Sequence, residues 1–143
     1  MMKTRCSIKK YNLLLLVLIA LFLLVGCSKV HEKKYYADIN NFITDEAVVD
    51  NVIYNEEEGY IVLWLSEIDE AYQCSDFIIE GNNVDLVLGN GILDKIEIGD
   101  AITYTSAPRI FGNGDFMPII EISAYGEELL NVDDGYKNLM DLY

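Results

Sequence analysis

Hydrolytic and transfer chemistry near neutral pH needs a side chain that takes and gives protons. This chain has one histidine, His31, close to its amino-terminal end. The residues after it include serine, threonine and Cys74 but no second imidazole, so neither a Ser-His-Asp nor a Cys-His arrangement can form in the body of the chain. A Gly-x-Ser-x-Gly elbow, a phosphate-cradling glycine loop with lysine, and Cys or His at zinc spacing are also absent from the sequence. What remains is carboxylate. Glu56-Glu57-Glu58, Glu67, Asp69 and Glu70 offer oxygen ligands for a hard cation, or an acid pair for glycoside hydrolysis. No Asp-x-Asp-x-Asp-Gly loop orders them, so three adjacent glutamates read first as a solvated turn, and no metal or cofactor is assigned. Asn113-Gly114-Asp115 and Asp133-Asp134-Gly135 are turn chemistry for the same reason.

A different chemistry is written at the start of the chain. Lys3, Arg5, Lys9 and Lys10 precede a 13-residue apolar run, Leu13 to Val25, which ends in Leu24-Val25-Gly26-Cys27. A basic start, an apolar core and small residues at its end make a secretory targeting segment. Thirteen residues rising about 1.5 Å each span about 20 Å, against a hydrocarbon core of roughly 30 Å, so the run is too short for a good transmembrane helix. The tetrapeptide resembles the lipobox of bacterial lipoproteins. That resemblance covers the first 27 residues and implies that residues 1–26 are cleaved and that Cys27 carries a thioether-linked diacylglyceryl group. Two or three acyl chains of the palmitate kind, at about 0.8 kcal/mol per buried methylene, hold a protein stably where one does not. The implied location is extracytoplasmic, on the cell membrane. Ser28 in place of an aspartate implies the outer membrane if the envelope is Gram-negative.

Removal of residues 1–26 leaves six basic against twenty-four acidic residues, a balance of −18. Lys29, Lys33 and Lys34 sit beside the lipid, in a tether taken as residues 27–34, and only Lys95, Arg109 and Lys137 lie beyond Tyr35. A basic collar is drawn to an anionic lipid surface while the acidic body is repelled, so the body is expected to stand off the membrane. The same excess excludes nucleic acid, for want of a Lys/Arg cluster to displace phosphate counterions. A basic envelope protein or peptide fits it. With Cys6 removed and Cys27 lipidated no intramolecular disulfide can form, and residues 35–143 are expected to be a single acidic β-rich domain stabilised by packing.

The pattern of that domain is mostly alternation. Glu46 to Asn55 and Tyr60 to Ser66 read as a hairpin around Asn55 to Gly59, and the second strand, apolar on both faces, as a central one. Asp76 to Glu80 and Val84 to Leu88 read as a second hairpin or one bulged strand. Ile92, Leu93 and Ile96 keep helical register before Gly99-Asp100 feeds Ala101 to Ser106. Met117 to Ser123 is a further strand, and Asp133 or Asp134 can cap a last helix through Tyr136, Leu139, Met140 and Tyr143. Five or six short strands with a helical piece between the third and fourth are best closed into a small barrel. The order resembles an OB-fold, with an SH3-like barrel or an open α+β sandwich as alternatives.

Two groups of residues are candidates for binding. Tyr60 and Trp64 share a strand face on which rings can stack, although a lone tryptophan amid Ile, Val and Leu is expected in the core. The loop Ala107 to Phe116 offers Arg109, Phe111 and Phe116, and long loops on rigid barrels are where binding resides; Arg109 is expected, alternatively, to tie down an acidic neighbour. The leading expectation is a non-enzymatic, lipid-anchored interaction module. A small-ligand or cation receptor is the alternative, and a carboxylate-based glycan hydrolase, which requires two partly buried acids in one cleft, the third.

Overall fold

Strand β1, Ile43–Asn55, is long enough to serve two neighbours. Its first half pairs antiparallel with β4 (Ala101–Ser106) from Ile43↔Ser106 to Val48↔Ala101. Its second half pairs with β2 (Tyr60–Ser66) from Val48↔Ser66 to Asn55↔Tyr60, across a register shift between Val49 and Asn51. That shift bends the strand and lets one segment turn the corner of a barrel. The computed structural model describes Leu15, Val17, residues 29–111 and residues 116–143. The tetrapeptide Leu24-Val25-Gly26-Cys27 and the Asn113-Gly114-Asp115 turn lie outside the described residues.

Strand β2 continues the sheet to β3 (Asp76–Ile79), and β4 continues it to β5 (Met117–Ala124). A short parallel pairing, Phe77↔Met117 and Ile78↔Pro118, joins β3 to β5 and closes five strands in the cyclic order β1-β2-β3-β5-β4. Strand β6 (Glu127–Leu130) folds back on β5 outside the closure, through Tyr125 and Gly126, both at positive φ as a two-residue hairpin loop requires. The result is the small OB-like barrel expected from the sequence. Its interior is filled from alternate positions: Ile61, Leu63 and Leu65 of β2, Phe77 and Ile79 of β3, and Tyr104 of β4 are fully buried. Tyr72, Phe77 and Tyr104 meet with ring centroids 5.0 to 5.6 Å apart.

Residues 29–36 are helical (α1). Two further helices, α2 (Asn82–Gly89) and α3 (Ile92–Lys95), lie between β3 and β4, and α4 (Val132–Met140) ends the fold. The stretch Val84 to Leu88, read above as a strand, is therefore part of α2. Val84, Val87 and Leu88 fall three and four positions apart and point at the core, so their spacing outweighs the strand preference of valine. Helix α4 is capped by Asn131, whose Oδ1 accepts from the Asp134 amide at 2.8 Å, and not by the aspartates.

A second, smaller core joins Tyr36 of α1, Ala107, Ile120 of β5 and Leu139 of α4 on the outside of the barrel. It depends on a close approach at Gly135, where an added Cβ would lie 1.8 Å from the carbonyl oxygen of Ile120. Asn83 clasps the same place from α2, donating to the Gly135 carbonyl at 2.9 Å and accepting from Asn138 at 2.9 Å. Replacement of Gly135 by alanine forces α4 off the sheet, and G135A is expected to lose about 3 kcal/mol. Gly89, whose added Cβ meets nothing within 4 Å, is the control: G89A is expected to be neutral or to gain up to ~1 kcal/mol. Urea midpoints of the two variants check the pair.

Candidate functional site

Strand pairing decides which side chains of β1, β2 and β3 share the outer face. Val62 stands opposite Ile53 on one side and Ile78 on the other, Trp64 opposite Asn51 and Asp76, and Tyr60 opposite Asn55. Directly opposed residues point the same way, so these form three cross-strand rows. Because Ile61, Leu63 and Leu65 fill the interior, the alternate set must face out. Val62 is nonetheless buried, whereas Trp64 is 44 % exposed and Ile53 40 %. The expected placement of Trp64 in the core is thus overturned: the strand is apolar on both faces, but its outer face is covered at Val62 and open at Trp64. The Asn55 side chain donates to the Tyr60 hydroxyl at 3.0 Å and fixes that ring, and Ser66 Oγ donates to Asp50 at 2.8 Å at the opposite end of the face. The charged groups in and beside these rows, Asp76 and Asp50, are both acidic.

Ile78 also belongs to a second feature. With Pro118 and Phe116 it borders a cavity of about 330 Å³ between the β3–β5 seam and α1, into which Glu32, Glu80 and Tyr143 also project. The Tyr143 hydroxyl donates to Glu32 at 2.6 Å. Glu80 is largely withdrawn from water, and burial, reinforced by the negative charge of Glu32, raises its carboxyl above the ordinary glutamate value. Burial, with Glu32 and Glu80 nearby, likewise pushes the Tyr36 and Tyr143 hydroxyls far above the tyrosine range. Two carboxylates facing one cavity were not visible in the sequence, where Glu32 lies in a supposed tether and Glu80 at the end of a strand. Only the barrel closure brings them together.

The remaining candidates are placed differently. The Arg109 guanidinium lies 4.8 Å from the centre of the Phe111 ring and 5.7 Å from that of Tyr35. Phe111 in turn packs on Tyr35 at 5.1 Å and Tyr36 at 5.6 Å. Arg109 therefore stacks on aromatic rings, and with Phe111 it clamps α1 to the barrel, where the sequence suggested a loop tip and the alternative was an acidic partner. Among the described loop residues, Phe116 borders the same cavity as Ile78. Glu56 to Glu58 form the exposed turn between β1 and β2, and no group of three His, Cys, Asp or Glu suited to a metal ion occurs among the described residues. Cys74 is half-buried, its thiol donating to the Asp76 carbonyl at 3.5 Å. No helix among the described residues is long and apolar enough to cross a membrane. No protein-family model matches the chain, and neither the curated proteins nor the solved structures gave a match.

Glu80 gives the fold a pH signature. Its proton is held more tightly in the folded than in the unfolded state, so stability falls as pH rises above the ordinary glutamate value of 4.5 and levels off once Glu80 is ionised. E80Q removes that slope. Its melting temperature is expected to equal that of the parent at about pH 4 and to exceed it at about pH 7; parallel melting curves at both pH values would contradict the assignment.

Proposed function

We propose that the chain is anchored by lipid at Cys27 on the extracytoplasmic side of a bacterial membrane and serves there as a non-enzymatic module that holds a basic protein or peptide. The observation that carries this reading is the outer face of β1, β2 and β3. Its apolar row, Ile53, Val62 and Ile78, runs beside a half-exposed tryptophan with an aspartate directly opposite. An exposed indole flanked by carboxylate receives a lysine or arginine side chain by stacking and by charge, while Ile53, the exposed member of the apolar row, takes an aliphatic or aromatic neighbour. The wider charge agrees. Lys95 to Glu127 is the one ion pair among the described residues, so nearly all the acidic groups remain unneutralised and favour the approach of a cation-rich partner.

A second reading has one specific observation behind it. Glu32 and Glu80 face a common cavity, and one of them has a raised carboxyl, which is the asymmetry that acid–base glycoside hydrolysis uses. It ranks second because the Tyr143 hydroxyl already engages Glu32.

The two readings separate in one set of variants. Lipidated protein is incubated with envelope extract at low and high salt, and the retained proteins are identified by mass. Under the first reading a basic protein is retained, W64A weakens its retention by at least ~10-fold and D76N by a few-fold, and E80Q leaves it unchanged. Equal retention by parent and W64A would overturn that reading; release of sugar from wall glycan that E80Q abolishes would establish the second.

A further inference from the structure

The lysines beside Cys27 are part of the folded body. Within α1, Tyr36 is buried in the smaller core, Tyr35 packs on Phe111, Glu32 accepts from the Tyr143 hydroxyl, and Lys33 Nζ donates to the Tyr143 carbonyl at 3.0 Å. With the one acid of α1 turned inward, its exposed residues are Lys29, Val30, His31, Lys33 and Lys34. Val30 is 66 % exposed, and Leu142, 47 % exposed, borders a shallow depression of about 270 Å³ together with Val30, Lys29 and Lys33. An exposed basic-and-apolar surface therefore stands two residues after Cys27, on a body whose residues 35–143 carry three basic against twenty-three acidic groups.

We infer that this surface, α1 with Leu142, docks on anionic lipid headgroups and fixes the orientation of the barrel on the membrane. The inference rests on lipid attachment at Cys27, as proposed above, and adds a partner for a surface that attachment alone does not explain. The reasoning is electrostatic and geometric. An anionic bilayer attracts the lysine-bearing face and repels every other face of so acidic a body, so the charge distribution acts as a lever that turns α1 downward. Val30 and Leu142 then enter the headgroup layer, where a small apolar residue beside lysine is favoured. Because Tyr36, Phe111 and Arg109 hold α1 against the barrel, the orientation passes to the whole domain. The body neither hangs from a slack tether nor lies flat.

The test uses the full lipidated protein and its own lysines. The protein is reconstituted into vesicles of phosphatidylglycerol or of phosphatidylcholine, separated by flotation, and treated with an amine-acetylating reagent, and the rate at each lysine is read by mass spectrometry. Docking slows acetylation of Lys29, Lys33 and Lys34 by several-fold on phosphatidylglycerol relative to phosphatidylcholine, leaves Lys95 unchanged, and is reversed by high salt. L142E, which places an acid in the docking surface, is expected to abolish the difference while the protein still floats. Equal rates on the two lipids in floating protein would overturn the orientation and leave the anchor standing. Equal slowing of Lys95 would also overturn it, since the effect would not belong to this face. Protein that fails to float, with an unmodified Cys27 by mass, would overturn the anchor and this inference together.

Discussion

Everything else in the structure depends on two residue pairs, Phe77 with Met117 and Ile78 with Pro118, which join β3 to β5 and turn a sheet into a barrel. The pairing is short, and Pro118 brings no amide hydrogen to it, so backbone bonds are a small part of what holds it. Packing does the rest from both sides. Inside, Phe77 and Met117 are fully buried against the barrel core. Outside, Ile120 of β5 belongs to the second core with Tyr36 of α1 and Leu139 of α4, and Pro118 borders the cavity into which Glu32 of α1 projects. Ser106 adds a buried hydrogen bond to the Pro118 carbonyl at 2.8 Å. Closure therefore needs both helices, and the helices in turn have no apolar seat unless the seam is closed.

That dependence explains why part of the fold was legible in the sequence and part was not. Runs of β-branched, aromatic and other apolar residues marked β2, β4 and β5, which bury residues on both faces, and the turn residues from Asn55 to Gly59 and at Gly99-Asp100 marked the strand boundaries. The Val84 to Leu88 stretch misled because its β-branched residues suit a strand, while its burial at helical spacing depends on a barrel end that the local sequence does not show. Trp64 misled for a related reason. Composition predicts a buried indole, but exposure is settled by which residues flank each row of the outer face, and Trp64 stands between the short side chains of Asn51 and Asp76. The pairing of Glu32 with Glu80 was invisible because the two residues are 48 positions apart in the chain and meet only across the closed seam.

Charge and closure together shape the functional account. Closure joins strands β1 to β5 edge to edge and leaves only the four-residue β6 outside the ring among the described strands, so recognition falls mainly to faces and loop ends. On one face the outer rows of β1, β2 and β3 leave an indole beside carboxylate, and at another α1 gathers half of the basic residues that follow Cys27. These surfaces have opposite character. The first is the one proposed for a cationic partner and the second the one proposed for anionic lipid, and a rigid body between them would fix the first relative to the second. Arg109, which the sequence offered as a binding residue, serves that rigidity by stacking on Phe111 and Tyr35.

The position of Trp64 is the point on which register, closure and site all converge, since a one-residue slip of β2 would exchange its inner and outer faces and carry the indole into the core. As the single tryptophan of the chain it can be read without any label. The direct measurement is its fluorescence emission and its quenching by acrylamide in the folded protein, with the urea-unfolded chain as reference. A half-exposed outer-face indole predicts red-shifted emission and quenching that approaches that of the unfolded chain. Blue-shifted emission that acrylamide scarcely reaches would place Trp64 inside the barrel and contradict both the register and the proposed binding face.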